Sequence, residues 1–240
     1  MKIKNITKSF GGIVALDSCS MDIKTKKITA IIGPNGSGKT TLFNIISRLL
    51  KPDKGSIIFN KKNIIQLQDF EVAKLGISRT FQSVKLFKNL TIGDHLQIAL
   101  SANSEYIFKS LTKKENKDKK IKEILELVGL DKPIDSYVSD LSYGQRKLLD
   151  LSVALAKPHS ILLLDEPVAG INPQLRKKIK EILINLRKRG ETIVLIEHDM
   201  NFVMDLADDV YVLDKGKVIA QGKPKSIQNN KRVLEAYLGE

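Results

Sequence analysis

The feature that most constrains this chain is a glycine-rich octapeptide, GPNGSGKT, at residues 33–40. It matches the phosphate-binding loop pattern, whose glycines let the backbone turn closely around an anion. The apolar run Ile28–Ile32 before it predicts a buried strand. Apolar residues spaced three and four apart after it predict a helix from Thr40 to Leu50, which Pro52 stops. Strand, loop and helix together form the context that this motif requires, so we expect an α/β core that binds phosphates.

The chemistry of such a loop follows from its backbone. The loop N–H groups and the positive end of the helix surround phosphate oxygens. Lys39 would reach the β- and γ-phosphates, and the Thr40 hydroxyl would bind Mg²⁺. The alternative is a glycine-rich turn beside a surface lysine. The expected nucleotide-binding residues are Gly33, Pro34, Asn35, Gly36, Ser37, Gly38, Lys39, Thr40 and Thr41.

A second motif supplies carboxylates. The apolar run Ile161–Leu164 reads as a buried parallel strand and ends in Asp165 and Glu166. Asp165 would hold the Mg²⁺ shell through water, and Glu166 would polarise the water that attacks the γ-phosphate. Alternatively, Asp165 caps a helix and Glu166 is a surface charge. The phosphate-binding loop in the same chain favours the first interpretation.

A third motif, LSYGQ at residues 141–145, predicts the start of a helix. Ser142 and Gln145 have the spacing of a capping box. Gly144 in the first turn leaves room for an anion to approach the N–H groups. A plain capped helix is the usual meaning of such a box, and the spacing alone does not identify an anion.

The order of elements predicts one α/β domain with an insertion. Strand and helix patterns alternate in residues 1–88 and 157–240, which favours a mostly parallel sheet. Early strands at Lys2–Ile6 and Ser20–Ile23, and a hairpin of Val210–Leu213 with Val218–Ala220, add an antiparallel portion. Residues 89–156 have helical periodicity and little strand signal. We expect this range to form an inserted helical subdomain.

Composition excludes several classes of protein. With 40 Lys and Arg against 27 Asp and Glu, the net charge is +13, but there is no Trp and only 5% aromatic residues. Direct nucleic-acid binding is therefore not expected, since strand binders use aromatic platforms. The single cysteine, Cys19, excludes an intramolecular disulfide and favours a reducing compartment. No apolar run approaches the roughly 20 residues that cross a bilayer.

The order of GPNGSGKT, LSYGQ, LLLDEP and IEHDM resembles that of ABC-transporter ATPases, from the first strand to the last helix. The resemblance implies ATP hydrolysis with Mg²⁺. It places Gln82 at the Q-loop position that senses Mg²⁺ and the γ-phosphate, Phe10 against adenine, and His198 on the γ-phosphate. It also implies that Ser142, Gly144 and Gln145 close on the ATP of a partner subunit in a head-to-tail dimer.

The segments SFGGIVAL, LDEPVAGINP and LEAYLGE are most similar to the ATP-binding subunits of branched-chain amino acid importers. This resemblance implies integral membrane permease subunits as partners, and a homodimer or a heterodimer with a related ATPase. It also implies a cytoplasmic location on the inner face of the cell membrane, and no direct contact with the transported substrate. Alternatives are the ATPase of lipopolysaccharide export, another ABC system, a non-transport ABC protein and a regulator that binds ATP without hydrolysing it.

The resemblance also places a short helix of the permease in a groove beside the Q-loop. The segment Ser83–Phe87 is the predicted docking surface, with Val84, Leu86 and Phe87 as apolar anchors and Lys85 as a rim charge. The alternative is that Leu86 and Phe87 attach the helical subdomain to the core.

Overall fold

The computed structural model describes residues 1–101 and 114–238. The strands of this described part are β1 (Lys2–Phe10), β2 (Ile13–Asp22), β3 (Ile28–Ile32), β4 (Lys54–Phe59), β5 (Lys62–Asn63), β6 (Ile77–Arg79), β7 (Ile161–Asp165), β8 (Ile193–Ile196), β9 (Asp209–Asp214) and β10 (Lys217–Gly222). Its helices are α1 (Lys39–Ile46), α2 (Asp69–Lys74), α3 (Ile92–Ser101), α4 (Lys114–Val128), α5 (Tyr143–Ala156), α6 (Pro173–Lys188), α7 (Met200–Leu206), α8 (Pro224–Gln228) and α9 (Lys231–Leu238). No helix in the described ranges is long and apolar enough to cross a membrane.

The larger sheet has the strand order β10-β9-β3-β8-β7-β6. Its neighbours from β9 to β6 pair in parallel, and β10 pairs antiparallel with β9 across the turn at Lys215 and Gly216. Every residue of β3, β7 and β8 is buried, as expected for strands covered on both faces. The expected α/β fold is confirmed. Because β3, β8 and β7 are neighbours, the loops after their carboxyl ends lie side by side.

The smaller sheet is antiparallel, with the order β2-β1-β4-β5. Its first two strands are longer than predicted, because β1 continues to Phe10 and β2 already begins at Ile13. Register shifts interrupt their pairing, and Asn5 and Ser18 have positive φ. Such irregularities break the two-residue alternation by which a strand is recognised in sequence.

Helix α1 corrects the prediction of a helix to Leu50, because it ends at Ile46. Arg48 adopts a left-handed conformation with φ of 60°. Its guanidinium donates to the Leu67 and Leu50 carbonyls. The chain therefore leaves the helix after Ile46, although the apolar spacing that predicts a helix continues toward Leu50.

The described part of residues 89–156 contains α3, α4 and α5 and no named strand. These helices pack on one another. Their apolar residues share one core with the larger sheet, in which Leu149 of α5 and Leu162 of β7 are both fully buried. The helical portion is thus held to the edge of the sheet through α5. Residues 102–113 of the predicted subdomain lie outside the described residues.

Candidate active site

The phosphate-binding loop is held tightly by the structure around it. A Cβ added to Gly33, whose φ is +150°, would lie 2.0 Å from the Leu213 carbonyl oxygen. At Gly38, with φ of +102°, it would lie 2.4 Å from the Ala15 carbonyl oxygen. These two close approaches to backbone explain why glycine stands at both ends of the loop. Gly38 also begins α1 without any side-chain cap, so the first N–H groups of the helix are left for an anion.

Lys39 lies inside the curve of this loop and is buried. Its Nζ donates to the carbonyl oxygens of Gly33 and Pro34, both at 2.8 Å. Burial lowers the pKa of Lys39, and the carboxylates of Glu166 and Asp165 oppose that shift. The ammonium group could therefore serve as a counter-charge for phosphate, which is a stronger partner than a neutral carbonyl.

The end of β7 places Asp165 in the interior, with 1% of the residue exposed. Oδ2 accepts a hydrogen bond from Arg79 Nη2 at 2.9 Å, whereas Oδ1 is buried without a partner. Burial raises the pKa of Asp165, against the lowering effect of Arg79. A buried carboxylate oxygen with no donor fits an acceptor for a hydrated cation. No helix begins at Asp165, which is against the capping alternative.

Glu166 brings the three predicted catalytic residues together. Its Oε1 lies 3.1 Å from Gln82 Nε2 and 3.0 Å from His198 Nε2. Gln82 follows β6 and His198 follows β8, so three loops at one edge of the sheet meet at this carboxylate. Glu166 has φ of 50°, an unusual conformation for a residue with a side chain. Local strain of this kind is often found where a side chain must be aimed.

The LSYGQ segment forms the expected capping box. Ser142 Oγ accepts from Gln145 N at 3.3 Å, and Gln145 Oε1 accepts from Ser142 N at 2.9 Å. In the described part of the chain, no hydrogen bond joins Ser142 or Gly144 to the phosphate-binding loop. A Cβ on Gly144 would lie 2.6 Å from Leu175 Cδ2, so packing on α6 also favours glycine there.

Phe10 is half exposed at the end of β1. Lys8 Nζ lies 5.4 Å from its ring centroid. The ring therefore has open surface on which a base could stack.

The family models decide which group the chain belongs to. A model described as ABC transporter matches residues 16–169, and one described as branched-chain amino acid ATP-binding cassette transporter matches residues 217–240. The chain belongs to the ABC transporter family.

Full-length relatives agree with this ABC assignment. The probable branched-chain amino acid transport ATP-binding protein LivG of Archaeoglobus fulgidus is 38% identical over 244 residues, covering 100% of this chain and 95% of the relative. An ABC transporter cassette solved in its ADP conformation has a TM-score of 0.86 at 36% identity, covering 100% of this chain and 98% of that one. A dimeric cassette bound to ADP and Pi has a TM-score of 0.83 at 29% identity, covering 93% and 98%. The prediction that the chain is an ATP-hydrolysing cassette and the resemblance to the branched-chain amino acid branch are both confirmed.

The sequence did not predict two positively charged side chains at this site, those of Arg79 and Lys147. Arg79 binds Asp165 and also donates to Asn44 Oδ1 in α1 and to Ser47 Oγ directly after this helix. Lys147 is buried in α5 and reaches the backbone beside Glu166. The available signal was a charged residue beside apolar residues that must be buried, as Lys147 precedes Leu148 and Leu149.

The other two histidines have local partners. His95 Nε2 accepts from Phe87 N at 3.0 Å, and its Nδ1 lies 2.8 Å from the Thr91 carbonyl oxygen. His159 Nε2 lies 3.2 Å from a Glu191 carboxylate oxygen. Neither contact involves the nucleotide site.

Proposed function

We propose that this chain is the ATP-hydrolysing subunit of an importer of branched-chain or related amino acids. The observation that carries the ATPase chemistry is the meeting of Gln82, His198 and Glu166 beside the phosphate-binding loop. The names of the relatives and the match over residues 217–240 support the amino-acid branch, and favour it over lipopolysaccharide export. The proposed domain is single, with an α/β core of residues 1–88 and 157–240 and a helical subdomain of residues 89–156.

In the proposed mechanism, the loop from Gly33 to Thr41 binds the phosphates and Lys39 neutralises their charge. Glu166 orients the attacking water and accepts its proton. His198 and Gln82 hold the Glu166 carboxylate by hydrogen bonds, at the distances already described.

The unpartnered oxygen of Asp165 makes the site a suitable one for Mg²⁺. The residues that would hold the ion are Thr40 and Gln82 directly and Asp165 through water. Mg²⁺ would neutralise charge that develops on the phosphates.

The second half of the nucleotide site is proposed to come from another subunit. Ser142 and Tyr143 are exposed, and within the described residues no hydrogen bond joins Ser142 or Gly144 to the phosphate-binding loop of the same chain. A structurally similar cassette is dimeric. Ser142, Gly144 and Gln145 would contact ATP bound across a head-to-tail dimer, with Phe10 stacking on adenine. The partner is a second copy or a related ATPase.

The permease is proposed to dock beside the Q-loop, on the cytoplasmic face of the membrane. Phe87 is 69% exposed, so it does not act as a core plug. Leu86 is partly buried and packs against the main core, which supports a structural role for that residue. The resulting surface from Ser83 to Phe87 has one exposed aromatic anchor, of the kind that dominates protein interfaces. Neither the transported substrate nor nucleic acid is expected to touch this chain.

Two variants test the proposal, one at the nucleotide site and one at the surface proposed for permease docking. Lys39→Ala should abolish tight nucleotide binding, because a desolvated phosphate loses its counter-ion. Replacing the exposed Lys132 by Ala is the matched control and should bind nucleotide as the parent does. Tight ATP binding by Lys39→Ala would contradict the proposed role of the loop from Gly33 to Thr41 in binding the phosphates.

Phe87→Ala should weaken permease capture by about 2 kcal/mol and leave the melting temperature nearly unchanged. A pull-down with the cognate permease and a melting curve of the isolated variant measure both effects. A large melting drop with capture retained would contradict docking at this segment.

A further inference from the structure

Helix α5 carries two buried charged residues that the proposed mechanism does not use. Lys147 and Asp150 are only 5% and 9% exposed. They are three positions apart, so they lie on the same face of the helix, one turn beyond the LSYGQ segment. Burial of charge is costly unless hydrogen bonds compensate, so the partners of these two side chains are informative.

The Lys147 side chain binds the backbone of the Q-loop. Its Nζ donates to the Gln82 carbonyl oxygen at 3.2 Å. Burial raises the pKa of the Asp150 carboxyl, and the positive charge of Lys147 and the backbone N–H of Phe81 lower it. The buried lysine thus has a hydrogen-bond partner in the Q-loop and an opposite charge on its own helix.

Lys147 also binds the backbone of Glu166, the residue that is proposed to supply the catalytic carboxylate. Its Nζ donates to the Glu166 carbonyl oxygen at 3.1 Å. Glu166 is the residue with the left-handed φ of 50°, which is unfavourable for a residue with a side chain. A hydrogen bond to its carbonyl helps to hold that conformation, and so helps to set the direction of the side chain that meets Gln82 and His198.

Lys147 lies on the same helix as the residues that are proposed to contact the partner's nucleotide. Ser142, the N-cap of α5, lies five residues earlier, which is about 8 Å along a rigid helix axis. The proposed contact with the partner's nucleotide and the contact with the chain's own catalytic backbone are therefore on one rigid element.

We propose that Lys147 is a positioning residue that couples α5 to the catalytic backbone of its own site. It holds the Gln82 and Glu166 carbonyls in one arrangement. A shift of α5 when Ser142 and Gly144 engage the partner's ATP then changes the aim of Glu166. This inference rests on the proposed roles of Gln82 and Glu166.

The test compares Lys147→Met, which keeps the length of the side chain but removes its donor, with Lys147→Arg, which keeps donors. We expect Lys147→Met to lower kcat at least about tenfold while affinity for a fluorescent ATP analogue changes less than about twofold. Lys147→Arg should recover most of kcat. The matched control is Lys178→Met, which removes another lysine hydrogen bond to a backbone carbonyl, that of Gly129, away from the site.

A second readout does not depend on activity. Hydrogen exchange should be faster in Lys147→Met at the amides of residues 81–84 and 166–169, and unchanged there in Lys178→Met. If Lys147→Met does not fold, Lys147→Leu, which also has no donor, is measured in the same way. Parental kcat in Lys147→Met, or a loss of kcat with unchanged exchange, overturns the proposal.

A double-mutant cycle with Gln82→Ala separates this inference from the proposed site. If Lys147 acts through the Q-loop, the losses of kcat in the two single variants are not additive in the double variant. Fully additive losses overturn the coupling. Parental kcat in Gln82→Ala or in Glu166→Gln would instead overturn the site assignment itself.

Discussion

The chain contains two helix N-termini that are proposed to contact nucleotide, and their N–H groups are capped differently. The N-terminus of α1 is proposed to bind the nucleotide of its own chain, and that of α5 the nucleotide of the partner. Helix α1 begins at Gly38 without a side-chain cap, beside the buried Lys39. Helix α5 begins at Ser142 with both hydrogen bonds of a capping box already made. The N-terminus of α1 keeps its backbone N–H groups free for phosphate. The N-terminus of α5 has some of these groups hydrogen-bonded within the chain, and it stays exposed.

This difference suggests a division of labour between subunits. The α1 end is surrounded by its own chain, so it can bind phosphate in one copy. The α5 end can be stable alone, and in the proposed dimer it meets the nucleotide of a second copy. Substitutions at the α1 end should therefore affect nucleotide binding already in a monomer, and those at Ser142 and Gly144 should affect pairing.

The largest effect is expected from Glu166→Gln. The amide keeps the shape but cannot accept the proton of the attacking water, so kcat should fall about a thousandfold while ATP affinity is retained. Steady-state hydrolysis and nucleotide-binding titrations measure the two quantities. Glu123→Gln, at an exposed position of α4, is the control and should behave as the parent. Parental turnover in Glu166→Gln would show that another group activates water.

The next effect concerns how tightly the α1 end is enclosed. Gly33→Ala would place a Cβ 2.0 Å from the Leu213 carbonyl oxygen, whereas Gly36→Ala meets open space at φ of +78°. We expect Gly33→Ala to lower the free energy of unfolding by about 3 kcal/mol and Gly36→Ala by about 1 kcal/mol. Urea unfolding of both variants measures the difference. Equal losses would mean that the loop is not held by the neighbouring strand.

A smaller effect is expected at the buried side of α5. Burial raises the pKa of Asp150 to about 6, with Lys147 opposing the shift. Since the folded pKa lies above the unfolded value, the associated stability is present at low pH and is lost as pH rises through about 6. Asp150→Asn cannot ionise, so its stability relative to the parent should rise by about 2 kcal/mol between pH 4 and pH 7. Asp131→Asn, at an exposed position, is the control for unfolding measurements across this range.

A pH-independent difference between Asp150→Asn and the parent would contradict this expectation.

Motifs with fixed local spacing could be predicted from the sequence. The loop of residues 33–40, the strand before Asp165 and the capping box of Ser142 each have a signature within a few consecutive residues. The role of Arg79 was not predicted, because its partners Asn44 and Asp165 come from distant segments. A partner that is far away in sequence leaves no periodic signal.

The boundaries of elements were predicted less well where the backbone departs from regular geometry. The early end of α1 depends on the left-handed turn at Arg48, which apolar spacing does not reveal. Strand β6 was missed because it has only three residues, Ile77–Arg79, and is specified by its pairing with β7. Short strands of this kind are determined by tertiary contacts rather than by local preference.

The central claim, that Ser142 and Gly144 act on nucleotide bound by another copy, is tested most directly by mixing two inactive variants. Lys39→Ala has a defective cradle and a normal α5 end, and Gly144→Asp has the reverse, because its carboxylate would repel phosphate. The parent alone, assayed over a range of concentrations, establishes that copies pair.

Random pairing of the two variants gives half mixed dimers, each with one intact composite site. The account predicts recovery of about a quarter of the parental ATPase rate in the equimolar mixture. A mixture with no more activity than its two components, under conditions in which parent copies pair, would contradict it.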